Sequence, residues 1–228
     1  MPKKEKKGIL FFVKYPEMKR VKTRLSEIID YDIVVEIYRL FVEDILNTLK
    51  WKKNNMIICF YPKSKLSKFE RWLGTDYIYI PQIGNSFGER LKNGFSFCFK
   101  NGFSKLVAIG SDSPDITVAH IDESFKKLGT NDAVIGPCLD GGYYLIGFTN
   151  KSFYPRVFTD IQLSTSTVYE KTFNMLKKAG LRVHSLSYWQ DVDNEEDLID
   201  LYEKNLTTKF RSSKTMSYLS CFFRGNPG

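Results

Sequence analysis

The stretch Leu106-Val-Ala-Ile-Gly-Ser-Asp-Ser-Pro-Asp115, LVAIGSDSPD, runs from an apolar segment straight into a loop holding two carboxylates. A short all-apolar run closed by a turn is the pattern of a strand covered on both faces, and such strands belong to parallel sheets flanked by helices. In open sheets of that kind ligands bind beyond the carboxyl ends of the strands. A plain surface turn needs only one small polar residue, so Asp112 and Asp115 together call for an account. One reading makes them a ligand site. The other makes the segment a turn into a helix at Thr117, with Asp115 as its cap.

On both sides of this stretch, β-rich runs alternate with helical patterns. GILFFV (8–13) is an apolar strand, followed by a polar loop through Arg24. Ile33, Ile37, Phe41, Ile45 and Leu49 recur every four residues, one face of a long amphipathic helix. MIICFY (56–61) and YIYI (77–80) read as strands, with a short helix over Leu66–Leu73 between them. Helices are expected over Ser86–Lys100, Thr117–Leu128 and Ser164–Ala179. AVIGP and YYLIGF flank the Asp140-Gly-Gly142 turn as an adjacent pair of strands, and LRVHSLSYW (181–189) reads as the last strand. Asp193 or Asn194 then caps a terminal helix beginning Glu-Glu-Asp. Strands joined through helices demand right-handed crossovers. The predicted fold class is therefore α/β, a Rossmann-like, mainly parallel mixed sheet with helices on both faces.

The chain has 228 residues, 43% of them apolar, with 18 Phe and 13 Tyr, enough for one well-packed domain. Its formal charge of +8 sits at the two ends. Residues 1–7 carry four Lys against Glu5, and residues 204–228 carry Lys204, Lys209, Arg211, Lys214 and Arg224 with no acid. The body between them balances 25 basic against 25 acidic residues. Nucleic-acid domains concentrate charge on a folded face, so no nucleic-acid partner is expected. The chain divides into a basic N-terminal extension (1–7), a domain over 8–203 and a basic C-terminal tail (204–228), the tail being a disordered extension or an interaction segment.

Cys59, Cys98, Cys138 and Cys221 form no CxxC pair and have no nearby histidine, so neither a zinc site nor a disulfide framework is expected. The apolar stretch Gly8–Val13 is too short for a signal peptide, and no run approaches a membrane span. A soluble, cytoplasmic protein with reduced thiols is the expectation. His120 and His184 lie in helix and strand patterns and read as structural. Neither GxGxxG after the first strand nor GxxxxGK[ST] occurs, which argues against a dinucleotide oxidoreductase and a P-loop NTPase.

Four strand ends carry chemistry. The first gives Lys14, Lys19, Arg20, Lys22 and Arg24; the others give Asp112, Asp140-Gly141-Gly142, and Asp191-Val-Asp193. A cationic loop facing acidic ones suits a phosphate-rich ligand bridged to the protein by a divalent cation, Mg2+ or Mn2+. Each piece also has a structural reading: a solvated loop for Val-Lys-Thr-Arg, a hairpin turn for Asp-Gly-Gly, a helix cap for Asp191–Asp193. Their coincidence at successive strand ends favours the site.

FVKYPEMKRVKTRL (12–25), FGERLKNGF (87–95), IGSDSPDI (109–116), GPCLDGGYYLIGF (136–148) and DVDNEEDL (191–198) resemble, in order, the blocks of a family of GT-A-like nucleotide-diphospho-sugar transferases. The chain is more distantly similar to 2-phospho-lactate and molybdenum-cofactor guanylyltransferases. The resemblance implies a GT-A fold with Lys14, Lys22 and Arg24 along the nucleotide phosphates. It implies Asp112 as metal ligand, with Asp193 and Asp191 completing the metal or orienting its waters. Asp140 would be the acceptor-side base or orienting group, Gly141 and Gly142 would line the acceptor pocket, and Glu89 and Arg90 would edge it. The implied activity is a metal-dependent glycosyl transfer from a nucleotide sugar to a small-molecule acceptor. A nucleotidyltransferase acting on an NTP and releasing pyrophosphate is the alternative, and a non-catalytic nucleotide-binding module the second. The chain departs from the family at Met18-Lys19, where Pro-Gly is common.

Overall fold

The computed structural model describes residues 5–163 and 165–225. Residues 1–4 of the expected N-terminal extension, Ser164 at the start of an expected helix, and residues 226–228 of the expected tail lie outside the described residues. In chain order the regular elements are β1 (Lys7–Lys14), α1 (Tyr31–Thr48), β2 (Met56–Tyr61), α2 (Leu66–Leu73), β3 (Ile78–Pro81), α3 (Phe87–Lys100) and β4 (Lys105–Ile109). There follow α4 (Val118–Lys127), β5 (Ala133–Pro137), β6 (Tyr143–Thr149), α5 (Val168–Lys178), β7 (Val183–Ser185), α6 (Glu195–Asn205) and α7 (Lys214–Gly225).

The strands form one seven-stranded sheet in the order β3-β2-β1-β4-β6-β5-β7. β1, β2, β3 and β4 run parallel; β6 is antiparallel to both β4 and β5, and β7 returns parallel to β5. The predicted Rossmann-like mixed sheet is thus present, and the adjacent strand pair around Asp140 is its antiparallel insertion. From β1 the chain builds outward through β2 and β3, then crosses back to lay β4 on the other side of β1. The carboxyl ends of β1 and β4 therefore flank the reversal in strand order, where a crevice opens.

Alternation along β1 feeds two cores. Ile9, Phe11 and Val13 join Tyr38 and Val42 of α1 and Ile121 and Phe125 of α4 on one face. Leu10 and Phe12 join Leu91, Phe95 and Phe99 of α3 and Leu176 of α5 on the other. Burying such a side chain fully is worth about 2 kcal/mol.

Two expectations are corrected. The last strand covers only Val183–Ser185, with an isolated bridge between Cys138 and Trp189 beyond it. The ladder breaks where the β5–β6 register shifts at Gly136/Pro137, and proline has no N–H to offer. Residues 204–225 of the expected tail are not a disordered extension: α6 runs to Asn205 and α7 lies on α1. The reason is in α1, which has a second apolar face. Val34, Ile37 and Phe41 point away from the sheet and are covered by Leu198 and Leu201 of α6 and Leu219 of α7. Buried Asp44 of α1 fixes the docking by accepting the Lys214 and Thr215 backbone N–H groups at 3.0 and 2.7 Å, a cap supplied by another helix.

Candidate active site

At the reversal point two side chains hold the strand ends together. The buried Tyr38 hydroxyl accepts the Lys14 backbone N–H at 2.9 Å and receives the Ser111 hydroxyl at 3.2 Å, tying β1 to the loop after β4. Gln82 donates to the carbonyls of Val13 and Cys59 at 3.2 and 2.7 Å, tying β1 to β2. The crevice so framed has a volume of about 320 Å³ and is lined by Lys14, Lys22, Tyr38, Gln82, Arg90 and Asp112. A second cavity of about 550 Å³ shares Lys14 and Arg90 with it and adds Lys19, Arg20 and Lys65. The Arg90 guanidinium stacks 4.0 Å from the centre of the Tyr61 ring.

Lys22 joins this basic region to an acidic one. Its side chain is only 3% exposed, and the ammonium contacts Asp112 and the Val192 carbonyl and stands 3.8 Å from Asp193. Arg24, largely exposed, reaches Asp193 at 3.3 Å. The last loop is held against the strand-β4 loop by a bond from the Val192 backbone N–H to the Asp112 carbonyl at 2.8 Å. Lys19 and Lys22 adopt φ of 58° and 46°, the left-handed region that side-chain-bearing residues avoid. Lys19, expected from the resemblance to stand where glycine is common, thus keeps the conformation glycine would take.

On the far side, Arg24, Asp112, Asp140, Gly142, Asp191 and Asp193 line a cavity of about 440 Å³. Burial pushes the Asp191 carboxyl up to about 7, and the carboxylates of Asp140, Asp193 and Asp112 push the same way. Asp193 is also raised by burial, against the pull of Lys22 and Arg24. Burial drives the Cys138 thiol up, with Asp191 and Asp140 adding to it. Ligand-capable atoms of Cys138, Asp140 and Asp191 lie within 4.8 Å of one another. The donor chemistry fits a hard divalent cation: crowded carboxylates supply oxygen ligands, and a thiol kept protonated does not compete. Lys22 already occupies a cation's place between Asp112 and Asp193.

The structure therefore brings Lys14 and Lys22 to one cavity and Arg24, Asp140, Asp191 and Asp193 to another, with Asp112 shared by both. Four other positions serve the backbone or the crevice wall. Asp115 is buried and braces the fold, accepting from Trp189 Nε1 at 2.9 Å and Asn205 Nδ2 at 3.1 Å, while Thr117 caps α4. Gly141 (φ 88°) makes room for the chain itself, since a Cβ there would lie 1.7 Å from the Ser166 carbonyl oxygen. Glu89 accepts the Asn85 N–H at 2.6 Å and caps the start of α3, where Ser86 is the N-cap. Arg90 lines the Lys14 side of the crevice and not the cavity beside Gly142. The Gly142 N–H donates to Asp140 Oδ1 at 2.8 Å, which orients that carboxylate. Sequence reasoning missed Tyr38, Gln82 and Lys65. Only the polar head that Tyr38 carries in an apolar helix stripe could have pointed to one of them.

Comparison with known proteins matches residues 45–165 to the family described as uncharacterised protein conserved in bacteria (DUF2064). A crystal structure from Desulfovibrio desulfuricans G20, provisionally described as a nucleotide-diphospho-sugar transferase, is 40% identical over 95% of this chain and 94% of that one, with a TM-score of 0.90. A cytidylyltransferase from Leptospira borgpetersenii shares the fold at 13% identity over 98% and 95% of the two chains, TM-score 0.57. A 4-diphosphocytidyl-2C-methyl-D-erythritol synthase from Anaerococcus prevotii does so at 11% identity over 95% and 100%, TM-score 0.57. No curated protein matches the chain. The fold is that of nucleotide-handling transferases, and among the described residues no helix is long and apolar enough to cross a membrane.

Proposed function

The chain belongs to the DUF2064 family of proteins conserved in bacteria, and from that premise we propose that it is a metal-dependent glycosyltransferase using a nucleoside diphosphate sugar. The observation that carries this reading is Lys22: it links the cationic loop after β1 to the carboxylates after β4 and before α6, where two cavities share Asp112. A diphosphate bridged by a cation needs that combination of charges.

In this reading Lys14, Lys22 and Arg24 bind the donor's phosphates, and Asp112, Asp193 and Asp191 hold Mg2+ or Mn2+. When bound, the cation would supply positive charge for a departing diphosphate. Lys22, released from Asp112, meets the same growing charge, a contribution worth about 3 kcal/mol for a well-placed donor. Asp140, oriented by the Gly142 N–H, takes the proton of the acceptor hydroxyl. The acceptor oxygen then bonds to the sugar's anomeric carbon while the bond from that carbon to the diphosphate oxygen breaks. The electron pair leaves with the nucleoside diphosphate. Gly142 lies beside this event; Gly141, Glu89 and Arg90 shape the crevice from behind. The domain proposed for this chemistry begins at β1 and includes α6 and α7.

A nucleotidyltransferase is the second reading. Lys14, Lys19, Arg20 and Arg90 line the larger cavity together with the Lys65–Glu17 ion pair, and that excess of positive charge suits a triphosphate. One measurement separates the two. The protein is incubated with Mg2+ or Mn2+ and either nucleoside diphosphate sugars or nucleoside triphosphates. Release of nucleoside diphosphate from the former supports glycosyl transfer. Release of pyrophosphate from the latter with a phosphorylated acceptor overturns it in favour of nucleotidyl transfer.

A further inference from the structure

The crevice that holds Lys14 and Lys22 and the cavity that holds Asp140 have two lining residues in common, Asp112 and Phe87. A smaller cavity of about 110 Å³ beside Leu91 and Ile146 is lined by the same pair. Asp112 already has a place in the site; Phe87 has none. It is 48% exposed, and among the described residues it is the one large apolar side chain left exposed that lines any of these three cavities. A single apolar side chain on an open surface needs no explanation, whereas one set among charged groups where cavities meet marks a ligand surface.

The position of Phe87 is fixed. It opens α3 beside the N-cap Ser86, whose hydroxyl accepts the Glu89 N–H at 3.1 Å. On its other side Gly88 lies so close to the Phe158 carbonyl oxygen that a Cβ would stand 2.0 Å from it. The Phe87 ring rests edge-on against Phe12, with 5.8 Å between centres and 84° between planes. Its chemistry limits what it can meet. The face of an aromatic ring is electronegative and offers a phosphate neither charge nor hydrogen bond. The C–H face of a pyranose is apolar and can cover such a ring while the hydroxyls at its rim stay free for polar partners.

We propose that Phe87 is the platform for the transferred sugar: the apolar face of the donor's pyranose lies on its ring, with the anomeric carbon between the Lys22 crevice and Asp140. The assignment rests on the glycosyl-transfer reading, because in nucleotidyl transfer the group passing between the two cavities is a phosphoryl group, which the ring does not suit. Phe87 thus serves sugar affinity and not nucleotide affinity.

The test measures binding to the full chain, with Mg2+ or Mn2+, of UDP and UDP-glucose, GDP and GDP-mannose, dTDP and dTDP-glucose, and ADP and ADP-glucose. Wild type is expected to bind at least one nucleotide sugar more tightly than its parent diphosphate. Phe87→Ala is expected to weaken that nucleotide sugar about ten-fold and the parent diphosphate by no more than about two-fold. Phe87→Tyr, which keeps the ring, is expected to bind both as wild type does. Thermal unfolding confirms that the variants fold, and Phe87→Leu replaces Phe87→Ala if the latter does not. Equal losses for the diphosphate and its sugar, or no loss for the sugar, overturn the proposal. Diphosphates that bind while no nucleotide sugar gains affinity reject the platform alone. Failure of every diphosphate and nucleotide sugar to bind rejects the glycosyl-transfer reading, and the platform with it.

Discussion

The Lys22 ammonium stands 3.8 Å from the Asp193 carboxylate, with its side chain 3% exposed. The loop after the first strand and the loop before α6 are thereby joined by one charge. Lys22→Met leaves Asp112, Asp191 and Asp193 facing one another without their neutralising partner. Without divalent cations this variant is expected to lose about 2 kcal/mol of stability in urea unfolding. Mg2+ is expected to restore more stability to it than to the wild type. Equal responses to Mg2+ would detach Lys22 from the cation site.

Asp191 sets a pH dependence whose direction is fixed. Its carboxyl is raised from 3.8 to about 7 in the folded chain, so the folded state holds the proton more tightly than the unfolded one. Its contribution to stability is complete below about pH 4 and is lost as pH rises towards 7 and past it. In metal-free buffer the unfolding temperature is expected to fall over that interval. Asp191→Asn is expected to flatten the fall, and an unchanged slope in that variant would place the titration elsewhere.

Asp44 and α7 make a test of the C-terminal segment. Asp44→Ala removes the carboxylate that accepts two backbone N–H groups at the start of α7 and is expected to cost about 2 kcal/mol. Removal of residues 214–228 exposes Ile37 and Phe41 and is expected to give an aggregating protein in size-exclusion chromatography. A monomeric, fully stable truncation would return α7 to the status of an appendage.

Two backbone positions carry opposite expectations. At Gly141 an alanine Cβ would meet the Ser166 carbonyl oxygen at 1.7 Å, so Gly141→Ala is expected to cost about 3 kcal/mol in chemical unfolding. At Lys19 the left-handed φ of 58° suits glycine, so Lys19→Gly is expected to be neutral to stabilising, by at most about 1 kcal/mol.

Much of the sheet was legible because apolar strand runs and strand-end loops are local signals. Lys22, Arg24, Asp112 and Asp193 could be brought together on paper by the rule that ligands sit at strand ends. The second face of α1 was not read, because Ile33, Ile37, Phe41, Ile45 and Leu49 passed for a single stripe, whereas Ile37 and Phe41 meet α6 and α7 and it is Ile45 and Leu49, with Tyr38, Val42 and Leu46, that pack on the sheet. Once one face seemed sufficient, nothing required a cover such as α7. Its own pattern, Met216 and Leu219 at helical spacing, is short and set among basic residues. Gly141 and Glu89 were assigned to the pocket because a glycine turn and a helix-opening acid look alike whether they serve a ligand or the backbone. Tyr38 and Gln82 depend on partners far away in the chain, and no local pattern encodes those.

Strand β6 enters the sheet against the direction of β4 and β5, pairing Leu145 with Ile109. Its opening residues therefore emerge beside the exits of the strands that frame the crevice. In the proposed reaction the donor would meet residues up to Asp112 together with Asp191 and Asp193, whereas the second substrate would meet chiefly a contiguous stretch after Pro137. Evolution, or a protein engineer, can thus retool one half by exchanging a single hairpin and the loop after it, leaving the nucleotide half as inherited.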